Sequence, residues 1–235
     1  MNQSDDEKTR SARFISAITH DLAQPLHAAR LFASMLTGKI PDPKQQEIID
    51  NIHESLEVSE KMLQEISLVG KLDAERLPIK IEAIKVQEII LDVISEFAIE
   101  SAQRGVEVRF VSTNAFVMSD KEMLRRAIQR LVSNALRFTA NGKVLLGGRK
   151  RGDNYLLEVW DNGIGIDVPD QLRVFEDFVR INNHDIYNQR CFGLGLGIVR
   201  RLCQQLGHEI SLRSTIGKGS VFFVQLPLVS QGLSC

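Results

Sequence analysis

The chain reads as α+β. A helical hairpin, paired with a second copy into a dimeric four-helix bundle, precedes an α/β sandwich with one mixed sheet covered by helices. Three observations predict this. Residues 8–72 hold no plausible strand and only one strong breaker cluster, Gly38-Lys39-Ile40-Pro41-Asp42-Pro43. From about 77 to 228, short β-forming runs alternate with helical periodicity. Composition is that of an ordinary globular protein, 43% hydrophobic and 25% charged over 235 residues, so a core can form without disulfides or metal. The boundary falls between a hairpin at 1–73 and a sandwich at 74–235.

In the first helix Ile15, Ile18, Leu22, Pro25, Ala29, Phe32 and Leu36 alternate spacings of three and four, the a/d seam of a bundle helix. Beyond the breaker, Ile48, Ile52, Met62, Ile66 and Val69 hold a similar register. A second row, Ile49, Leu56 and Leu63, makes the stripe too wide for one partner helix, so a homodimer is expected. With Ile15 and Leu22 at a and Ile18 at d, His20 falls at f, away from the seam. Asp21 beside it can hydrogen-bond one imidazole nitrogen and raise the nucleophilicity of the other. Pro25 removes the bond to the Asp21 carbonyl and should bend the helix. His27 and His53 lack that setting and read as surface residues.

The sandwich region suggests strands near 79–84, 106–112, 143–151, 154–161, 208–214 and 220–226. Helices fit near 86–104, 120–139 and 197–206. Residues 167–190 are polar and irregular between two glycine clusters, the setting of a functional lid.

Charge excludes some roles. Lys+Arg 29 against Asp+Glu 30 leaves −1, so no basic field favours nucleic acid. No run is long and apolar enough to insert into a membrane, and the polar start MNQSDDEKTRSAR is not a secretory signal. Three cysteines without C-x-x-C spacing suit a reducing compartment, so the cytoplasm is expected, whether or not the parent protein is membrane-attached. Cys191, beside the second glycine cluster, reads as an apolar filler.

The chemistry gathers at Asp161-Asn162-Gly163-Ile164-Gly165, ending a strand, and Gly193-Leu194-Gly195-Leu196-Gly197, opening a helix. Glycines spaced by one let backbone approach phosphate, and a helix N-terminus offers free N–H groups to an anion. Either cluster alone is equally well a tight turn. The P-loop lysine is absent, and no parallel βαβ unit surrounds the motif as dinucleotide binding would require. On the helix after Asp120, Asn134 and Arg137 share a face, where an amide oxygen can reach Mg²⁺ and a guanidinium can grip phosphate.

In this order the segments Leu131–Thr139, Asp161–Gly165, Phe175-Glu176-Asp177-Phe178 and Gly193–Gly197 resemble the N, G1, F and G2 boxes of sensor histidine kinases. That family shares an ATP-binding domain with gyrase, Hsp90 and MutL. Ser214–Phe222 with Leu226-Pro227 looks like the domain's closing hairpin, and Phe14–Leu26 looks like the H box, so the resemblance spans essentially the whole chain.

The resemblance implies autophosphorylation of His20 from Mg²⁺-ATP and transfer to an aspartate of a response regulator receiver domain. The upstream sensor is expected to lie outside this chain. It implies Asp161 as the acceptor for the adenine amine, with Gly163 and Gly165 shaping the adjoining wall. Asn134 becomes the Mg²⁺ contact, and Arg137 stands where lysine is usual. Gly193, Gly195 and Gly197 would receive phosphates, and Phe178 and Ser220 join the ATP site through their boxes. Gln24 takes the place of the threonine or asparagine linked to regulator dephosphorylation. Arg130 replaces an asparagine of the family and the hydrolytic glutamate of its ATPase relatives; a cation is no general base. An ATPase without kinase activity and a degenerate phosphorelay scaffold are the alternatives.

Overall fold

The computed structural model describes residues 3–36, 42–74, 77–179, 181 and 192–229. Two compact units divide the chain, Met1–Leu77 and Pro78–Cys235.

The first unit is a hairpin of α1 (Gln3–Leu36) and α2 (Pro43–Asp73). Asp42 caps α2, its Oδ1 accepting from the Lys44 amide at 3.0 Å, and Pro43 fits the first turn, where no intrahelical N–H bond is needed. Helix α1 runs unbroken through Pro25. Within one chain the helices bury Ala33 and Ile49 against each other. Leu22, Phe32, Leu36, Ile48 and Ile52 of the expected seam stay exposed, Phe32 at 68%. Of the second row Ile49 is buried and Leu56 and Leu63 are half-buried, whereas these five residues of the first row stay uncovered within one chain.

The second unit holds a five-stranded sheet in the order β2-β4-β5-β7-β6 and a two-stranded sheet of β1 (Glu82–Lys85) and β3 (Phe116–Ser119). The large sheet contains β2 (Glu107–Phe110), β4 (Lys143–Arg151), β5 (Asn154–Asp161), β6 (Glu209–Thr215) and β7 (Gly219–Pro227). It is mixed: β2 and β4 run parallel, the other pairs antiparallel. Helices α3 (Val86–Glu96), α4 (Ala98–Gln103), α5 (Lys121–Phe138) and α6 (Gly195–Gln205) complete the unit. In α5, Met123, Leu124, Ala127, Ile128, Leu131, Val132, Ala135 and Leu136 are buried in i, i+3, i+4 rows. Ile198, Val199, Leu202 and Cys203 do the same for α6. They meet the inner sheet residues Leu146, Leu157, Val159, Phe222 and Val224, all buried.

Three expectations are corrected. The 86–104 helix breaks at Phe97 (φ −96°, ψ 6°), after which the Ser101 carbonyl accepts from Val106 and turns the chain into β2. The single sheet becomes two, because Phe116–Ser119 forms a strand paired to Glu82–Lys85 that the sequence reading missed. The interval 167–190 is not structureless at its start: Val168–Asp170 and Arg173–Phe175 are 3₁₀ turns and Val174 is buried. Residues 180 and 182–190 of that interval, and Cys191, lie outside the described residues.

Candidate functional site

Asp161 ends β5, and its Oδ1 accepts from two amides, Gly163 N at 2.9 Å and Ser220 N at 3.2 Å. Among the described residues no hydrogen bond reaches Oδ2. Burial pushes the Asp161 carboxyl above the usual carboxylate range, and the two amides pull it partly back. The turn that follows is held from three sides. Ile164 donates to the Phe138 carbonyl at 3.2 Å, Gly217 donates to the Ile164 carbonyl at 2.7 Å, and Ile166 donates to Ser214 Oγ at 2.7 Å. A Cβ at Gly163 would overlap the Phe138 carbonyl, and one at Gly165 (φ +72°) the Thr215 carbonyl. Gly219 (φ +98°) packs the same way against the Asp161 carbonyl. These glycines let three backbone segments close around one carboxylate.

The Phe138 bond also fixes where α5 ends relative to Asp161. Asn134, one turn earlier, is half-buried, and its carboxamide makes no hydrogen bond among the described residues. Arg130 and Arg137 are half-buried on the same helix, Arg137 in the last turn, where its charge suits the helix dipole. Ser220 is buried, its Oγ 3.0 Å from Ser214 Oγ.

The second cluster is built differently. Phe178 (φ +62°) donates its amide to the Gly193 carbonyl at 2.9 Å, and Gly193 itself has φ +68°. Gly197 faces Asp177, whose carboxylate receives Arg201 Nη1 and Nη2 at 2.7 and 2.6 Å. Of these three glycines Gly195 is the one whose Cβ would meet nothing within 4 Å among the described residues. Among the described residues no side chain caps α6, which leaves the amides of its first turn available to an anion. The Phe178 side chain is 61% exposed, whereas Phe175 packs edge-on against Phe222 of β7. Phe175 thereby ties the second cluster to the strand that carries Ser220.

On the hairpin, α1 carries His20 between Thr19, which is buried, and Asp21 and Gln24, which are exposed. The His20 side chain lies outside the described residues. Across the hairpin Arg30 Nη1 is 3.0 Å from Glu60 Oε2, and exposed His27 is 3.7 Å from Glu60 Oε1.

A family model described as "Histidine kinase-, DNA gyrase B-, and HSP90-like ATPase" matches residues 119–230, and one described as "His Kinase A (phospho-acceptor) domain" matches residues 10–75. The chain belongs to the sensor histidine kinases. Sensor-like histidine kinase SenX3 of Mycolicibacterium smegmatis is 30% identical over 235 residues, which span 96% of this chain and 60% of the relative. Among solved structures, full-length ShkA in complex with AMPPNP superposes with a TM-score of 0.81 at 21% identity, covering 93% of this chain and 46% of that one. Histidine kinase AdeS of Acinetobacter baumannii gives 0.65 at 20% identity, with 90% and 98% covered. At that identity the two structures speak for the fold.

In this histidine kinase several site residues escaped the sequence reading. Ser214 Oγ accepts from Ile166 and donates to the Gly219 carbonyl at 2.9 Å, and Gln171 Nε2 bridges the Ile166 and Ser214 carbonyls at 3.1 and 3.0 Å. Its only sequence signal is the hairpin register, which sets Ser214 opposite Ser220. Asp177 lies in the Phe175–Phe178 segment and Arg201 24 residues further on in α6, with no periodicity to join them.

Proposed function

We propose that this histidine kinase core binds Mg²⁺-ATP in the sandwich unit and transfers its γ-phosphoryl group to His20. The phosphoryl group then passes to an aspartate of a response regulator receiver domain. The observation that carries the reading is Asp161: a buried carboxylate with Oδ1 fixed by two backbone amides and Oδ2 left for another donor. An exocyclic adenine amine is such a donor, and a backbone-fixed acceptor gives directional recognition.

The remaining residues fit the rest of the nucleotide. The uncapped N-terminus of α6, with open space at Gly195, suits a phosphate. The Asn134 carboxamide, without a protein partner among the described residues, offers its oxygen to Mg²⁺. ATP supplies the phosphoryl group and Mg²⁺ neutralises its charge; the protein's work is positioning and electrostatic stabilisation, with Arg137 adding a cation. Asp21 holds one ring nitrogen of His20, and the other attacks phosphorus as the bond to the β-phosphate oxygen breaks. Gln24, one turn beyond His20, faces the same docked receiver and holds the water that later removes its phosphoryl group. The seam residues Leu22, Phe32 and Ile52, exposed in one chain, are covered by a second copy in a homodimer.

Incubation with γ-labelled ATP and Mg²⁺ tests the reading. Acid-labile, alkali-stable label on the wild type, absent from His20→Ala with nucleotide affinity kept, is expected. Released phosphate without protein label would replace it with an ATPase. Neither product would leave a scaffold.

A further inference from the structure

An antiparallel sheet with one free face alternates apolar residues inward with polar residues outward. The face of the large sheet turned away from the helices breaks that rule. Register places Arg109, Leu145, Trp160, Val221 and Arg213 in one row across all five strands. The next row sets Gly147 beside Glu158 and Phe223. Trp160 is 43% exposed, and Val111, just past β2, is exposed as well. Beside Gly147, where a Cβ would already press on Val111 at 3.1 Å, lies a hollow of about 160 Å³ lined by Val111, Leu145, Trp160, Arg149, Glu158 and the Gly147–Gly148 backbone. A cavity of roughly 150 Å³ admits a benzene ring, so one aromatic or aliphatic side chain fits.

The floor is charged. Glu158 is 6% exposed; its Oε2 accepts from Trp160 Nε1 at 2.8 Å, while its buried Oε1 receives no hydrogen bond. Arg149 Nη2 stands 3.3 Å from that oxygen as an ion pair, its side chain largely in solvent. Glu158 thus draws one edge of the guanidinium inward, and the fork's other donors remain for a guest carboxylate. Cations are in surplus here. Arg109 and Lys143 share Glu107, Arg149 has Glu158, and Arg213 lies over the Phe223 ring at 5.6 Å without an ion pair among the described residues. The chain as a whole carries −1, so this local excess is not a general property of its surface.

We propose that this outer sheet face docks a partner protein through a short acidic segment. One apolar side chain of the segment seats in the Gly147 hollow against Trp160, and a neighbouring carboxylate takes the outer edge of Arg149. The face is separate from the Asp161 pocket, since Trp160 and Asp161 are consecutive in β5 and project to opposite sides. The proposal stands independently of the nucleotide reading.

Trp160 is the only tryptophan, so indole emission reports the hollow directly. The probes are the peptides acetyl-DELFDE-amide and acetyl-KRLFRK-amide, titrated into the whole chain without nucleotide. A saturable shift of the emission by the acidic peptide, and none by the basic one, is expected. Arg149→Gln should weaken the acidic peptide at least about tenfold, the loss of a charge-assisted pair. Because that change leaves Glu158 without its cation, Val111→Glu, at an exposed position, serves as the second variant; it should weaken binding similarly with an unchanged melting temperature. No saturable shift at millimolar peptide, equal response to both peptides, or undiminished binding by both variants would overturn the proposal.

Discussion

In the turn after β5 the glycines answer to the protein's own backbone, whereas in the turn before α6 one of them faces nothing. Gly163 and Gly165 are filled by the carbonyls of Phe138 and Thr215, and the product is a fixed carboxylate. Gly193 and Gly197 are likewise occupied by neighbours, but Gly195 opens onto space at an uncapped helix end. Two strings of the form G-x-G therefore do different jobs. One builds a rigid acceptor and the other leaves room for an anion.

The contrast can be broken by alanine. Gly165→Ala sets a Cβ on the Thr215 carbonyl at φ +72° and should cost roughly 2–4 kcal/mol of stability in urea unfolding. An unchanged midpoint would show that the turn relaxes freely. Asp161→Asn retains an acceptor oxygen for the two amides but loses the charge, so folding should survive while ATP affinity falls by about 1–3 kcal/mol by calorimetry. Gly195→Ala should leave stability within about 0.5 kcal/mol, yet measurably weaken nucleotide binding. Equal destabilisation by the Gly165 and Gly195 variants would erase the distinction.

The smallest effect concerns acid. His208, just beyond α6, is buried with Nε2 2.8 Å from Ser119 Oγ and Nδ1 without a partner, and burial lowers its pKa below the usual 6.5. The unfolded chain then binds a proton that the folded one refuses, so stability is full above pH 6.5 and is lost as pH falls below it. Asp161 works in the opposite sense, since its raised pKa makes the fold bind a proton more readily than the unfolded chain. His208→Gln should flatten the decline in melting temperature between pH 7 and pH 5. Identical slopes for variant and wild type would remove His208 from the account.

Periodicity made much of this legible before any coordinates. The buried rows of α5 and α6 follow from apolar spacing, and β4 and β5 have the bounds that their β-forming runs suggest. Four-residue β3 was missed because Phe116–Ser119 is too short to establish a period, and its strand character comes from pairing with Glu82–Lys85. The break at Phe97 was missed for a related reason: its residues keep helical spacing, and the Val106 bond to Ser101 is tertiary. At the site, the motif residues could be named in advance, but their division of labour could not. Whether a glycine faces a carbonyl or open space depends on segments distant in sequence.

The clasp between Phe178 and Gly193 has a consequence for chain length. One amide–carbonyl bond of 2.9 Å closes the base of the fourteen residues 179–192, and the bidentate Asp177–Arg201 pair anchors the same base to α6. Closure entropy grows only with the logarithm of loop length, so doubling the segment costs about 0.6 kcal/mol. The contacts at the base, more than the number of residues they enclose, therefore set the strength of the clasp. Arg201→Lys, which gives up one arm of that pair, should therefore loosen the base and lower the melting temperature by a few degrees.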